Sequence, residues 1–204
     1  MLIIGLAGGI ASGKSLVAKC FEQQGAVIID ADKIGHQVLC LSEVIQAISN
    51  TWGESVLADG QVDRSALAAI VFKGGDDNRQ LAKLEQITHP RIQQRLSAEF
   101  ERLRSNGETR AVVLDAPVMF KAGWDKLCDK IVFVRATYEV RLARALERGW
   151  DENELEHRES RQTALDKKQK LSTDLIDNSE SIESTQHQVL KLWETWGLNH
   201  NVEK

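Results

Sequence analysis

The chain has few of the sequence features that are typical of secreted proteins, zinc-binding proteins or membrane proteins. Of its 204 residues only three are cysteines, namely Cys20, Cys40 and Cys128, and no two of them form a C-x-x-C pair. An odd number of widely spaced cysteines supports neither a disulfide framework nor a zinc site. We therefore expect the three cysteines to be buried and to pack as small apolar residues. No apolar stretch has the length of a membrane span, and residues 1–5 lack the charged lead and cleavage site of a signal peptide. These absences predict a cytoplasmic protein with no membrane partner.

The chain also lacks a basic excess. Its formal net charge is −4, which argues against nucleic acid as a partner, because broad nucleic-acid binding needs a basic face. A small polyanionic substrate would then be met by local clusters of arginine. With 204 residues and 42% hydrophobic content, the chain can bury the core of one α/β domain with inserted segments. The sequence leaves the oligomeric state open.

A glycine-rich stretch near the N-terminus matches a phosphate-binding loop in full. The residues are Gly8, Gly9, Ile10, Ala11, Ser12, Gly13, Lys14 and Ser15, and they lie between an apolar run and a helical pattern. Glycines allow the backbone to turn its N–H groups inward as an anion cradle, and the helix start adds its positive dipole end. Lys14 is expected to reach the β and γ phosphates and Ser15 to hold Mg²⁺. A glycine-rich turn alone would leave the Lys-Ser pair unexplained, so the stretch predicts binding of a nucleoside triphosphate.

The remaining pattern alternates strands and helices, which favours a parallel sheet covered on both faces. Strands are predicted at about 26–29, 111–115, 130–134 and 175–176, and a closing amphipathic helix follows the last of them. The stretch between the predicted strands at 26–29 and 111–115 is too long for a loop and is predicted to be helical. Its expected helices are 31–39, 42–51, 65–72, 78–86 and 90–104, with a turn at Asp59-Gly60 and Pro90 at the start of the longest helix.

Three aspartates follow predicted strands, where α/β proteins bind ligands. Asp115 ends a strand that resembles a Walker B strand and would help place Mg²⁺ through water, although an aspartate there can also simply form a turn. Asp30 and Asp32 would face the same side if the strand geometry continued to residue 32. Phosphoryl transfer needs a carboxylate that accepts the proton of the attacking hydroxyl, and Asp32 is our preferred candidate. Either residue could instead cap the next helix, and the role of Asp30 stays open.

Arginines recur after the strand at 130–134. Arg141, Arg144 and Arg148 share one helical face that could clamp phosphates, but a solvated face is the expected arrangement for most of them. One or two are expected to close over ATP as part of a lid. By chemistry alone Arg64 and His89 are ambiguous, because Arg64 could pair with Asp63 and His89 could cap a helix.

Taken together, these residues resemble the dephospho-coenzyme A kinase family over nearly the whole chain. The likeness rests on the ordered series Leu6–Ser15, Ile29–Asp32, Asp59-Gly60 with Asp63-Arg64, His89–Ile92, Leu114–Pro117 and Leu175–Asn178. It implies ATP-dependent phosphorylation of the ribose 3′-hydroxyl of dephospho-coenzyme A, with ATP and Mg²⁺. The resemblance puts Asp32 at the position of the base and Arg144 at that of the lid arginine. It also puts Arg64 and His89 in the acceptor region and Asn178 near the adenine of ATP.

The implied organisation is a P-loop NTPase fold with three α/β/α layers, a parallel sheet, a helical acceptor-binding insertion and a helical lid. We expect one domain, with a core at about 1–30, 108–135 and 172–204, the insertion at about 31–107 and the lid at about 136–171. The chain departs from the family pattern at Lys121, Arg141 and Ser172-Thr173. Two other functions stay open: a P-loop kinase for another nucleotide or a sugar-like metabolite, and a nucleotide-dependent switch. The switch is disfavoured because Asp32-Lys33-Ile34-Gly35 matches D-x-x-G but N-K-x-D is missing.

Overall fold

A computed structural model of the chain describes residues 1–72, 79–160 and 162–199. They form two compact units, Met1–Asp30 with Arg102–Lys204, and Ala31–Glu101. The strands are β1 (Leu2–Gly8), β2 (Val27–Asp30), β3 (Leu57–Ala58), β4 (Gln61–Val62), β5 (Ala111–Asp115), β6 (Lys130–Arg135) and β7 (Asp174–Asp177). The helices are α1 (Lys14–Gln23), α2 (Ala31–Val38), α3 (Ser42–Trp52), α4 (Arg64–Val71), α5 (Arg79–Ser105), α6 (Met119–Ala122), α7 (Tyr138–Glu147), α8 (Glu152–Ser160), α9 (Leu165–Lys170) and α10 (Ile182–Thr195).

The first unit contains a parallel sheet with the strand order β2-β5-β1-β6-β7. Parallel neighbours need crossover connections, and helices supply them, as the alternating pattern predicts. β1 lies at the centre, so the loop that leaves its carboxyl end is flanked by the ends of β5 and β6. The predicted α/β fold with a parallel sheet is confirmed.

The core of this unit lies on both faces of the sheet. Ile4 and Leu6 pack in a cluster with α1 and α10, which includes Phe21 and Trp193. Ile3 precedes Ile4 in the strand, so its side chain lies on the other face of the sheet, where it is only 5% exposed. Strands buried on both faces read as continuous apolar runs, which is why β1 and β5 show no polar alternation.

The described residues of the second unit form helices and one β-hairpin. β3 and β4 pair antiparallel around Asp59 and Gly60, whose φ angles are +50° and +74°. Positive φ at both central residues suits a two-residue hairpin turn and explains the Asp-Gly pair. The next helix, α4, begins after Asp63, whose Oδ1 accepts hydrogen bonds from Ser65 N at 2.9 Å and Ala66 N at 3.1 Å. Asp63 is thus a helix cap.

The longest helix corrects two predictions. Helices at 78–86 and 90–104 were expected, with Pro90 at a first turn and His89 as a cap, but α5 runs unbroken from Arg79 to Ser105 with Pro90 inside it. Proline removes one intrahelical donor, and Pro90 is at an exposed position of the helix. His89 therefore lies within a helix and is not the N-cap of one. Residue Asn78 lies outside the described residues.

Two smaller findings bear on the expectations from composition. Cys20 is buried as predicted, but Cys40 is exposed and Cys128 is partly buried, so the expectation of three buried cysteines is wrong for Cys40. All three thiols are free. Within the described ranges, no helix combines the length and apolarity that a membrane span requires.

Candidate active site

The loop between β1 and α1 has a backbone that two glycines make possible. Gly8 has φ +149°, and a Cβ there would lie 2.5 Å from Val134 O and 2.8 Å from Ser12 Oγ. Gly13 has φ +92° and is the N-cap of α1. Ala11 also takes a positive φ, +58°, which an L-residue adopts at some cost in strain. The first N–H groups of a helix have no intrahelical acceptor, so the start of α1 can donate to an anion.

Lys14 lies against this loop. Its Nζ donates to Gly9 O at 2.9 Å and approaches Gly8 O at 3.5 Å. Burial lowers the pKa of Lys14, and the charge of Asp115 works in the opposite direction. The hydrogen-bond acceptors of the ammonium are neutral carbonyls, so a phosphate oxygen can replace them with a gain in charge pairing.

Asp30 and Asp115 lie side by side at the carboxyl edge of the sheet. They are register partners in the pairing of β2 with β5, and Asp115 is also opposite Leu6 of β1. The strand ends at Asp30 and α2 begins at the next residue, so the strand geometry does not continue to Asp32 and the condition for a shared face is not met. Asp30 holds the position before the helix, whereas Asp32 is an exposed residue of its first turn.

The oxygen groups near the loop suit magnesium. Ser15 is exposed in the first turn of α1, and the negative charge of Asp115 is close enough to Lys14 to raise the pKa of that lysine. Among the described residues there is no group of three or more His, Cys, Asp or Glu that could hold a metal ion. Mg²⁺ is usually held by one or two protein oxygens together with phosphate oxygens and water, so this donor set fits an ion that arrives with the nucleotide.

Arg144 and Asn178 brace the far side of the loop. Arg144 Nη1 donates to Ser12 O at 3.2 Å and Ala11 O at 3.4 Å, and its Nη2 donates to Asn178 O at 3.0 Å. Asn178 Nδ2 donates to Ser12 O at 2.7 Å, while its Oδ1 accepts from Thr185 Oγ1 at 2.8 Å. The structure gives both side chains a part in holding the loop; a contact of Asn178 with adenine stays a prediction.

Arg141 contradicts the expectation of a solvated arginine face. It is 6% exposed and forms an ion pair with Glu159. A Cβ on Gly9 would lie 3.1 Å from Arg141 Nη1 and 3.3 Å from Glu159 Oε1, so the pair lies directly over the loop. Arg148 does have the expected exposed position, where its guanidinium lies 5.8 Å from the Trp150 ring.

Lys168 is a residue of this site that the sequence does not reveal. It belongs to α9 and is 4% exposed, and its Nζ donates to Gly8 O at 3.2 Å and Gln162 Oε1 at 2.6 Å. Lys167 and Lys170 flank it in a polar stretch, and both are exposed. Only burial distinguishes Lys168, and burial follows from the fold.

Arg64 and His89, which the resemblance puts in the acceptor region, and Lys121, which departs from the family pattern, have simple local settings. Arg64 is the exposed first residue of α4, after the Asp63 cap. Asp63 Oδ1 is thus engaged by backbone donors of the helix. His89 is half-buried within α5, and Lys121 is exposed on α6. Their roles toward an acceptor stay predictions.

A central parallel sheet whose first strand runs into this loop, with Lys14 at the helix start, defines a P-loop NTPase fold. The family profile described as "Dephospho-CoA kinase" matches residues 2–184. The dephospho-CoA kinase of Aquifex aeolicus is 40% identical over 194 residues, covering 94% of this chain and 95% of its own. That of Geobacter metallireducens is 41% identical over 196 residues, covering 95% and 96%. The chain belongs to the dephospho-CoA kinase family, and the resemblance seen in its motifs is confirmed.

Solved structures give the same fold. TT1252 from Thermus thermophilus is 31% identical with a TM-score of 0.79, over 96% of this chain and 97% of that chain. A dephospho-CoA kinase from Campylobacter jejuni has a TM-score of 0.71 at 22% identity, over 97% of this chain and 98% of that chain. At that identity the second likeness shows the fold alone.

Proposed function

We propose that this chain transfers the γ-phosphoryl group of MgATP to the ribose 3′-hydroxyl of dephospho-coenzyme A, the last step of coenzyme A synthesis. The observation that carries the proposal is the family match over residues 2–184. In the same chain, Lys14 and Arg144 both donate hydrogen bonds to carbonyls of the phosphate loop. The location we propose is the cytoplasm, which is in keeping with three free thiols.

In the proposed reaction, the 3′-oxygen forms a bond to the γ phosphorus while the bond from that phosphorus to the β–γ bridging oxygen breaks, and ADP leaves. Asp32 orients the hydroxyl and accepts its proton. Residues 8–13 and Lys14 hold the phosphates, and Arg144 neutralises charge that develops during transfer. Arg64 and His89 bind the acceptor, and Asn178 lies on the ATP side.

Magnesium enters as the partner of ATP. Ser15 would hold it directly and Asp115 through water. Bound there, the ion would neutralise the β and γ oxygens. Lys14 exchanges the Gly8 and Gly9 carbonyls for phosphate oxygens as its hydrogen-bond acceptors. The lid excludes water from the site.

The test is an acceptor panel with MgATP, in an assay that couples ADP release to an optical signal. Dephospho-coenzyme A is expected to support turnover, with the new phosphate on the 3′-oxygen as located by phosphorus NMR. Nucleoside monophosphates, shikimate and simple sugars serve as comparison acceptors. Turnover with one of those and none with dephospho-coenzyme A would favour another small-molecule kinase. ATP turnover only on addition of a protein partner would favour a switch.

A further inference from the structure

Lys168 is a buried ammonium whose hydrogen bonds go to neutral oxygens. In the described part of the chain its acceptors are Gly8 O and Gln162 Oε1. Burial of a charge costs free energy unless a counter-charge or strong hydrogen bonds replace water. The pKa of Lys168 reflects this: burial first, and then the charge of Lys14, lower it to about 8, while the charge of Glu159 opposes the shift.

Lys168 shares an acceptor with the lysine of the phosphate loop. Lys14 Nζ lies 3.5 Å from Gly8 O and Lys168 Nζ lies 3.2 Å from the same atom. Both side chains also line one small cavity, together with Ala116, Pro117 and Phe120. Two ammonium groups on one carbonyl repel each other, so an anion between them would remove an unfavourable interaction.

The position of Lys168 along the loop indicates which phosphate it would meet. Gly8 is at the β1 end of the loop, where Lys14 Nζ also lies, and the lysine of such loops reaches the β and γ phosphates. Arg144 contacts Ala11 O and Ser12 O, near the α1 end. The two cations therefore serve different ends of the triphosphate.

We propose that Lys168 binds the γ-phosphate of ATP, as a second lysine beside Lys14, and so distinguishes ATP from ADP. The inference rests on the proposed function only for the identity of the nucleotide. When the γ-phosphate is present, Lys168 Nζ gains an anionic acceptor beside the loop that it already contacts. With ADP, the ammonium keeps its bonds to Gly8 O and Gln162 Oε1.

The experiment is calorimetric titration of Lys168→Met with MgADP and with a magnesium-bound ATP analogue that cannot be cleaved, without acceptor. Methionine keeps an unbranched apolar stem that is one heavy atom shorter than lysine, and it removes the charge. Affinity for the analogue is expected to fall roughly ten- to a hundred-fold, as for loss of one hydrogen bond between charged groups, with ADP affinity within about two-fold of wild type. The melting temperature without nucleotide is expected to stay or rise, because a buried charge is gone.

Lys167→Met is the matched control, since it removes the same charge from an exposed neighbour on the same helix. It is expected to leave both affinities unchanged. Equal losses for analogue and ADP in Lys168→Met would assign Lys168 to holding α9 on the loop and overturn the proposal, as would unchanged affinity for both. Wild-type protein that binds the analogue but does not phosphorylate dephospho-coenzyme A would overturn the proposed function and leave this inference standing. Wild-type protein that binds neither nucleotide would overturn both.

Discussion

The Asn178 amide fills the space in which a Cβ on Gly13 would have to stand, because that Cβ would overlap Asn178 Nδ2. The same nitrogen donates to Ser12 O at 2.7 Å, so the approach is part of the bracing of the loop. Two independent constraints therefore require glycine at position 13: its φ of +92° and the close approach of Asn178.

Gly13→Ala is therefore expected to weaken the loop more than backbone strain alone can. The control is Gly25→Ala, because Gly25 has a similar φ of +101° and nothing within 4 Å of its Cβ position. Strain alone is expected to lower the free energy of unfolding by about 1–2 kcal/mol in Gly25→Ala, with ATP binding intact. Gly13→Ala is expected to lose more stability and most ATP affinity. Equal unfolding curves for the two variants, measured in urea, would contradict the overlap.

Lys14→Ala is expected to lower kcat by roughly three orders of magnitude while the fold stays intact. Its ammonium is bonded to the Gly8 and Gly9 carbonyls and would neutralise charge during transfer. Lys19→Ala is the control, since Lys19 is an exposed residue of the same helix. Steady-state rates and melting curves of both variants check the prediction. Near-normal turnover by Lys14→Ala would contradict the assignment of the phosphate site.

The depressed pKa of Lys168 predicts a pH dependence of stability. Its value is about 8 in the folded chain against 10.5 ordinarily, so between these values the unfolded chain binds more protons. The free energy of unfolding therefore gains a rising contribution from pH 8 to 10.5, and the full penalty is present below pH 8. Lys168→Met is expected to lack the contribution of Lys168 to this rise. The neighbouring Lys14 and Glu159 stay in place in that variant and are expected to contribute as they do in wild type. Urea unfolding at several pH values measures the difference, and Lys167→Met is expected to follow wild type.

Sequence patterns predict those parts of the site that are continuous in the chain. Gly8 to Ser15 is one such segment, and its motif, preceding strand and following helix were all visible. Asp115 is a predicted site residue because it ends an apolar run at the carboxyl edge of the sheet.

The parts that depend on distant contacts were missed. Lys168 is 160 positions from its acceptor Gly8, and nothing in its polar neighbourhood separates it from Lys167. Arg141 and Arg148 share a helical spacing, but only Arg141 meets a carboxylate over the loop. Pro90 was expected to start a helix because local preference favours that position, yet an exposed proline is tolerated inside α5 when tertiary packing sets the helix.

Arg144→Ala is expected to lower kcat roughly a hundred-fold or more, with a smaller change in KM for the acceptor, because a lid arginine meets charge that develops in the transition state. Arg144→Lys is expected to restore little, since Nη1 and Nη2 donate to carbonyls of different segments and an ammonium cannot reproduce that fork. Arg148→Ala, at an exposed position, serves as control. An unchanged kcat in Arg144→Ala would leave Arg144 with only the bracing of the loop.

The substitution Asp32→Asn distinguishes two roles for Asp32: a base in the reaction and a carboxylate that only stabilises α2. Asn keeps the size of the side chain but accepts no proton, so a base predicts a large fall in single-turnover rate with normal ATP affinity. If Asp32 acts only through the dipole of α2, the change is expected to cost about 0.3–1 kcal/mol of stability and to leave the rate normal. Asp30→Asn is the matched comparison, since Asp30 holds the position before the helix, where Asn caps about as well as Asp. An active Asp32→Asn protein with an inactive Asp30→Asn protein would move the base to Asp30, and activity in both would move it to Asp115.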